Sequence, residues 1–338
     1  MIGLWDTTGS DVVKALAAER RSAGGVASGM ALSLIVIVDE PRVREAEAAA
    51  TIASAAHPCR LLVVVRSDIE RPRNRLDAEI VVGGRLGPGE AVVMRMYGRL
   101  ALHAESVVLP LLVPDVPVVT WWHGEPPDEI ATDFLGVAAD RRITDAAQAA
   151  DPIAALRQRA VDYAPGDTDL AWTRITTWRT LVAGAFDTSE AKVTGATVVA
   201  PKTDPTAFLM IGWLSSRLGI SPTWEETTQF SRMRSVELSC ANGDRLRLTR
   251  EDGIALFQRS GQHDRHLPLA RRPLGDELAE ELRRLDADQI YAEALGAAAG
   301  LTGLHDQPTK RVHVWKDPTA QRPADSPVSV RAGSGSPS

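Results

Sequence analysis

The chain has 338 residues, 44% of them apolar and 24% charged, with a formal net charge of −6. That length suits two domains better than one, and the composition is that of a globular protein able to bury a substantial core. The acidic balance argues against nucleic acid as a partner, because phosphate binding needs a basic field.

Four arginine pairs, Arg20–Arg21, Arg141–Arg142, Arg271–Arg272 and Arg283–Arg284, have acidic neighbours in sequence and read as solvated faces. The two cysteines, Cys59 and Cys240, form no metal-spaced set and suit a reducing, cytoplasmic compartment. Residues 1–10 show no signal-peptide pattern, and the apolar run Met30–Val38 is too short to span a bilayer, so no membrane partner is expected.

The first half opens with an amphipathic segment, Ser10–Arg21, for which Ser10 or Asp11 is the expected cap. Gly24, Gly25 and Gly29 lead into the apolar strand Met30–Val38. Pro41 suits a first helical turn, and Arg42–Ala56 is an alanine- and glutamate-rich helix that ends at His57-Pro58. Leu61–Val65 is a second apolar run without alternation, so the unit reads as strand, helix and parallel strand buried on both faces. Ala78–Val82 and Ala91–Tyr97 alternate around Gly83–Glu90, a glycine-rich hairpin loop. Leu100–Leu112 reads as helix, Val116–Trp121 as a buried strand, Arg141–Thr144 as a short last strand, and Ala146–Tyr163 as helix.

The second half begins near Asp169 with a helix, Asp169–Phe186, followed by the strand Val193–Ala200. Asp204-Pro205 supplies an N-cap with proline at the first helical position, and Thr206–Leu218 runs as helix to Gly219. Arg234–Cys240 and Arg245–Thr249 alternate around Asn242-Gly243, a strong hairpin signal, and Gly253–Gln258 extends that meander. Asp276–Leu285 and Asp288–Ala299 are helices with acidic starts. The pattern predicts two layered α/β domains. The first, 1–165, holds a mostly parallel sheet with a hairpin edge; the second, 166–316, holds a mixed sheet with an antiparallel meander. A tail over 317–338, rich in Pro, Ser, Ala and Gly, is expected to be disordered.

No glycine fingerprint for a dinucleotide, no phosphate-binding loop, no nucleophile elbow and no metalloprotease helix occurs in the sequence. His263 and His266 are three apart in a polar segment, but no third metal ligand accompanies them. No catalytic, metal or cofactor residue is therefore assigned.

Eight tryptophans against five phenylalanines is an unusual ratio. Trp121-Trp122-His123 follows a buried strand, and alternation sends the two indoles to opposite faces. One of them should then lie at the carboxyl edge of the sheet, as a binding surface, a sugar-stacking platform or a plug between domains. His123 and Glu125 are a possible acid–base pair or simply part of a loop.

In Asp169–Phe186, Leu170, Ile175, Trp178, Leu181, Val182 and Phe186 share one face. Arg174 and Arg179 sit at the edges of that stripe, with Trp172 beside Arg179, where desolvation demands an acceptor. Asp187, a carboxylate from the other domain, a substrate phosphate or a partner's carboxylate would each serve. Trp213, off the apolar stripe of its helix, is either a packing residue or an exposed interface anchor.

VPVVTWWHGEPP (116–127), DLAWTRITTWRTLVAGAFD (169–187) and FLMIGWLSSRLG (208–219) resemble the glucose-6-phosphate dehydrogenase assembly protein family, OpcA. MIGLWDTTGSDVVKAL at the start and LRRLDADQIYAEAL (282–295) fit it as well. The resemblance implies a non-catalytic protein that binds glucose-6-phosphate dehydrogenase and promotes its active, assembled state. It leaves Trp121, Trp122, His123, Trp172, Arg174, Trp178, Arg179 and Trp213 as candidates for a partner or interdomain interface. His123 stands where the family pattern leads one to expect proline. Thiol-based redox control, associated with cyanobacterial relatives, is not carried over to Cys59 and Cys240, whose positions suit inert thiols. An enzyme acting on a sugar phosphate, of lactonase or isomerase class, is the competing reading.

Overall fold

A computed structural model describes residues 1–23, 29–83, 89–185 and 191–309. The expectations for Gly84–Pro88, Phe186, Asp187 and the tail lie outside the described residues.

The first sheet is built from β1 (Ile2–Leu4), β2 (Leu32–Asp39), β3 (Cys59–Arg66), β4 (Arg75–Val82), β5 (Glu90–Tyr97), β6 (Val118–His123), β7 (Arg141–Thr144) and β8 (Asp167–Asp169). Interleaved with these strands are α1 (Gly9–Ser22), α2 (Val43–Ala56), α3 (Glu105–Val108), α4 (Phe134–Val137) and α5 (Pro152–Asp162). The strand order is β1-β4-β5-β3-β2-β6-β7-β8. From β5 to β8 every pairing is parallel, and β4 and β1 add an antiparallel edge.

The chain builds outward from β2 on one side, then returns to lay β6, β7 and β8 on the other. This is a doubly wound sheet with its switch point between β2 and β6. Both faces are covered, which explains the unalternating apolar runs. Ile35, Ile37, Leu62, Val64 and Trp122 pack with α1 on one side; Leu34, Val36, Val38, Leu61, Val63 and Trp121 pack with α2 on the other.

The second half contributes α6 (Leu170–Arg174), α7 (Thr176–Gly184), β9 (Val193–Ala200), α8 (Pro205–Leu218) and β10 (Thr223–Glu226). The meander β11 (Ser235–Cys240), β12 (Arg245–Glu251), β13 (Ile254–Arg259) and β14 (Arg265–Pro268) follows, then α9 (Leu274–Leu282) and α10 (Gln289–Ala299). The six-stranded order is β10-β9-β11-β12-β13-β14, parallel only between β9 and β10. One face of this sheet carries Val198, Val236, Leu238, Leu248 and Phe257 into a core shared with α8 and α10. Those two helices approach closely at Gly212, where an added Cβ would lie 1.9 Å from the Ala294 carbonyl oxygen.

The fold class agrees with the sequence reading, and so do several caps. Asp204 accepts from the Thr206 amide at 2.8 Å, and Gly219 takes φ +64 at the end of α8. Gly243 turns the β11–β12 hairpin with φ +86.

Three long helices are broken, each for a local reason. Over 100–112 only α3 is α-helical, flanked by 3-10 turns, and Pro110 removes a backbone donor there. Asp151 caps a fresh start at Pro152, so 146–163 divides before α5. Asp169 ends β8 and caps α6, and Ile175, outside helical geometry, separates α6 from α7, which opens on the β-branched Thr176-Thr177. The cap of α1 is Thr8, not Ser10 or Asp11.

The division expected at 165/166 is crossed twice. β8 pairs with β7 in the first sheet, and α9 packs Leu278 and Leu282 against α2 and β3. At Gly275 of α9 an added Cβ would stand 2.6 Å from Ile52 of α2, so the two helices touch backbone to side chain.

Candidate functional site at the junction of the two halves

Open doubly wound sheets hold their ligands outside the carboxyl ends of the strands at the switch point. Here that place is bordered by Asp39-Glu40-Pro41-Arg42 after β2 and by His123 at the end of β6. Glu40 accepts from Ser67 Oγ at 2.8 Å and Arg95 Nε at 3.4 Å, and Arg66 Nε lies 3.6 Å from Asp39. A pyrophosphate needs glycine and backbone amides at this turn; two carboxylates, which only accept, and a proline, which lacks an N–H, are the wrong groups.

His123 is fully buried, with Nε2 3.1 Å from Glu45 and its ring 4.8 Å from that of Trp121. The His123–Glu125 pair considered from sequence is not formed. Glu125 is exposed and offers its backbone carbonyl to Arg66 Nη2 at 3.2 Å.

Trp121 and Trp122 do take opposite faces, but both are buried, one in each core layer. Of the readings left open for these indoles, burial fits a packing role better than an exposed binding surface or stacking platform, since helices cover both faces of β6.

The charged side chains of α6 explain how the two halves are joined. Arg174 grips Asp145 with both Nη atoms, at 2.6 and 2.8 Å, and donates through Nε to Glu277 of α9 at 2.9 Å. The acceptor is thus a carboxylate from each side of the junction. Burial alone would lower the Arg174 pKa, but its two carboxylates hold it above the ordinary value. Burial pushes Glu277 up, against the opposing pull of Arg174.

One helical turn along α9, Glu281 pairs with Arg141 at the start of β7 and accepts from Thr173 Oγ1. Arg141 also donates to the Asp286 carbonyl at 2.9 Å. Arg141 and Arg142, read from sequence as a solvated pair, are both buried; Arg142 is bonded to Asp167 of β8. Asp169 accepts from Thr144 Oγ1 and from the amides of Ala146 and Ala171. Burial, then the nearby Asp145 charge, raises its pKa to about 6.

Trp172 donates Nε1 to Asp288 at 2.8 Å, and Asp288 in turn caps α10. Arg179 lies with its guanidinium carbon 3.5 Å from the Trp172 ring centre. Its hydrogen bond is to Thr176 Oγ1 at 3.1 Å, and burial lowers its pKa to about 10. Aromatic stacking accommodates this cation, with the charges of Asp288 and Glu281 favouring it from nearby rather than through a direct ion pair. Trp178 is buried under Arg250, at 5.3 Å, and Trp213 is half-buried against the second core.

Asp145, Arg141, Glu277, Glu281, Asp169 and Asp288 complete this cluster and were not recognised from sequence as interface residues. One signal was available. Glu277 and Glu281 are four apart beside Leu278 and Leu282, which places two carboxylates on the buried side of α9.

Cys59 is buried 3.1 Å from Ser54 Oγ, its thiol pushed up by burial, and Cys240 is half-buried. His263 and His266 are exposed, and no group of three metal-ligating side chains occurs among the described residues. No helix among the described residues is long and apolar enough to cross a membrane.

These features define a two-sheet α/β protein whose arginines and tryptophans at the junction are spent on holding its own elements together. Models of the glucose-6-phosphate dehydrogenase subunit N-terminal domain and C-terminal domain match residues 50–161 and 165–295, and the chain belongs to this OpcA assembly family. A relative from Synechococcus elongatus, provisionally named OxPP cycle protein OpcA, is 34% identical over 142 residues, covering 39% of this chain and 32% of that protein. One from Synechocystis, named likewise, is 26% identical over 184 residues, covering 50% of this chain and 39% of its own length. The chain thus spans less than half the length of these curated relatives.

Two solved structures are similar at low identity. A 3-ketoreductase, KijD10, from Actinomadura kijaniata matches at 12% identity and TM-score 0.43, over 81% of this chain and 96% of its own. A Clostridium difficile dehydrogenase, MviM, matches at 7% and 0.40, over 79% and 96%. Likenesses this loose carry no functional weight.

Proposed function

We propose that this chain is a non-catalytic factor that binds glucose-6-phosphate dehydrogenase and promotes its active oligomeric state, supporting NADPH production in the oxidative pentose phosphate pathway. The observation that carries the reading is the match of both family domains, in order, along one chain. The geometry supports it from a second direction. Arg174 is committed to Asp145 and Glu277, and the switch-point turn carries carboxylates where a phosphate-binding fold needs amides. Neither place suits a sugar phosphate or a dinucleotide, which weighs against the lactonase or isomerase reading.

Such a factor acts by binding the active conformation or oligomer more tightly than the inactive one, and the population shifts by that difference. The test is a sizing column run with the purified protein and the dehydrogenase of the same organism. Comigration of the two is expected; separate elution at micromolar concentrations would end the reading.

A further inference from the structure

Among the described residues, the second sheet is covered by helices on one face and left open on the other. Pairing aligns Glu225, Val199, Ser235, Thr249, Leu256 and His266 in one row across all six strands. Each alternates with core residues such as Val198, Val236, Leu248 and Ala255, so the row points away from α8 and α10. Its middle four positions carry no charge. They lie in a hollow of about 520 Å³, which Phe230, 38% exposed, also lines.

The rim of the hollow is charged unevenly. Four carboxylates (Glu225, Glu226, Glu237 and Glu251) face two guanidiniums, those of Arg234 and Arg247. Arg247 is already shared with Glu237 at 3.9 Å, and Arg234 lies over the Phe230 ring and donates to the Arg250 carbonyl. Glu225, Glu226 and Glu251 make no ion pair or side-chain hydrogen bond with any described residue. An uncharged centre inside a polar rim is the anatomy of a protein interface. Six strands at about 4.8 Å spacing, averaging roughly 20 Å in length, offer on the order of 550 Å², most of one partner's share of a standard interface.

We propose that this open face docks a basic segment of the dehydrogenase. Apolar side chains of that segment would sit over Val199 and Leu256, and its Lys or Arg groups would pair with Glu225, Glu226 and Glu251. The proposal rests on the dehydrogenase being the partner. Charge selects the occupant: a second copy of this chain would set the same excess of carboxylates against itself, and like charges across an interface are unfavourable.

The test compares wild type with the triple variant Glu225→Lys, Glu226→Lys, Glu251→Lys, keeping Arg283→Glu at the C-terminal cap of α9 as a charge-changing control away from the face. Dissociation constants for the dehydrogenase are measured by calorimetry at low and high sodium chloride, and circular dichroism confirms that each variant is folded. The triple variant is expected to bind at least about tenfold more weakly, and wild-type binding to weaken with salt. Should the folded triple variant bind as tightly as wild type, or lose self-association while keeping the dehydrogenase, the docking face is wrong although the partner is right. If wild type itself does not bind, the partner is wrong too.

Discussion

The two sheets bury their residues by different rules. The first is closed on both faces, and where it meets α6 and α9 it even buries ion pairs: Arg141–Glu281, Arg142–Asp167 and Arg174 with Asp145 and Glu277. The second keeps one face dry and leaves the other as a hollow whose rim carries carboxylates unpaired among the described residues. Charge in the first region has been taken out of water and must be matched internally. Charge in the second remains in water and is free to meet something else. The comparison teaches that the arginines and tryptophans at the junction hold the two halves together, and that the proposed docking rests instead on carboxylates of a sheet face.

Breaking the closed region should have the largest effect. Glu281→Ala strands Arg141, 5% exposed, without its carboxylate and removes the acceptor of Thr173. A loss of about 3–5 kcal/mol is expected in urea unfolding followed by tryptophan fluorescence. A loss below about 1 kcal/mol would mean that the pair is solvated, as an exposed ion pair would be.

Next comes the covered side of the second sheet. Gly212→Val puts a branched side chain where even a Cβ would collide with the Ala294 carbonyl and lie 2.8 Å from the Ala298 Cβ. A cost of about 1–3 kcal/mol, read as a lower thermal midpoint, is expected as α8 and α10 are forced apart. The rim substitutions on the open face of the same sheet should stay within about 0.5 kcal/mol of wild type, because they disturb no buried contact.

The contrast is sharpened further through pH. The folded pKa of Asp169, about 6, lies above its ordinary value. Its favourable contribution is therefore complete below about pH 4 and is lost as pH rises through about 6. Unfolding free energies measured from pH 4 to 7 should decline more steeply for wild type than for Asp169→Asn. Parallel curves would place Asp169 in contact with solvent.

Much of the fold was legible in the sequence because its signals were local. Met30–Val38 and Leu61–Val65 announced strands closed on both faces, Asn242-Gly243 a hairpin, and Asp204-Pro205 with Gly219 both ends of α8. The junction was far less legible. Asp145, Glu277 and Glu281 are distant in sequence from the arginines they neutralise; the pairing of β8 with β7 brings Arg174 to Asp145, and the return of α9 to the first sheet brings the two glutamates. Arg141 and Arg142 looked solvated because sequence shows neighbours along the chain, not across a sheet. Trp121 and Trp122 were placed on the right faces, yet their burial depended on helices packed from both sides. β10, which carries Glu225 and Glu226, was missed because four residues in TWEE give too short a pattern for a strand signal.

The central claim is that this chain contributes contact and no bond-making chemistry. It is tested most directly by titrating the purified protein into a fixed amount of glucose-6-phosphate dehydrogenase while following NADPH formation at limiting glucose 6-phosphate. A saturable rise in rate, with no NADP reduced by the chain alone, is the predicted result. A flat titration, or turnover by the chain without the dehydrogenase, would contradict the account.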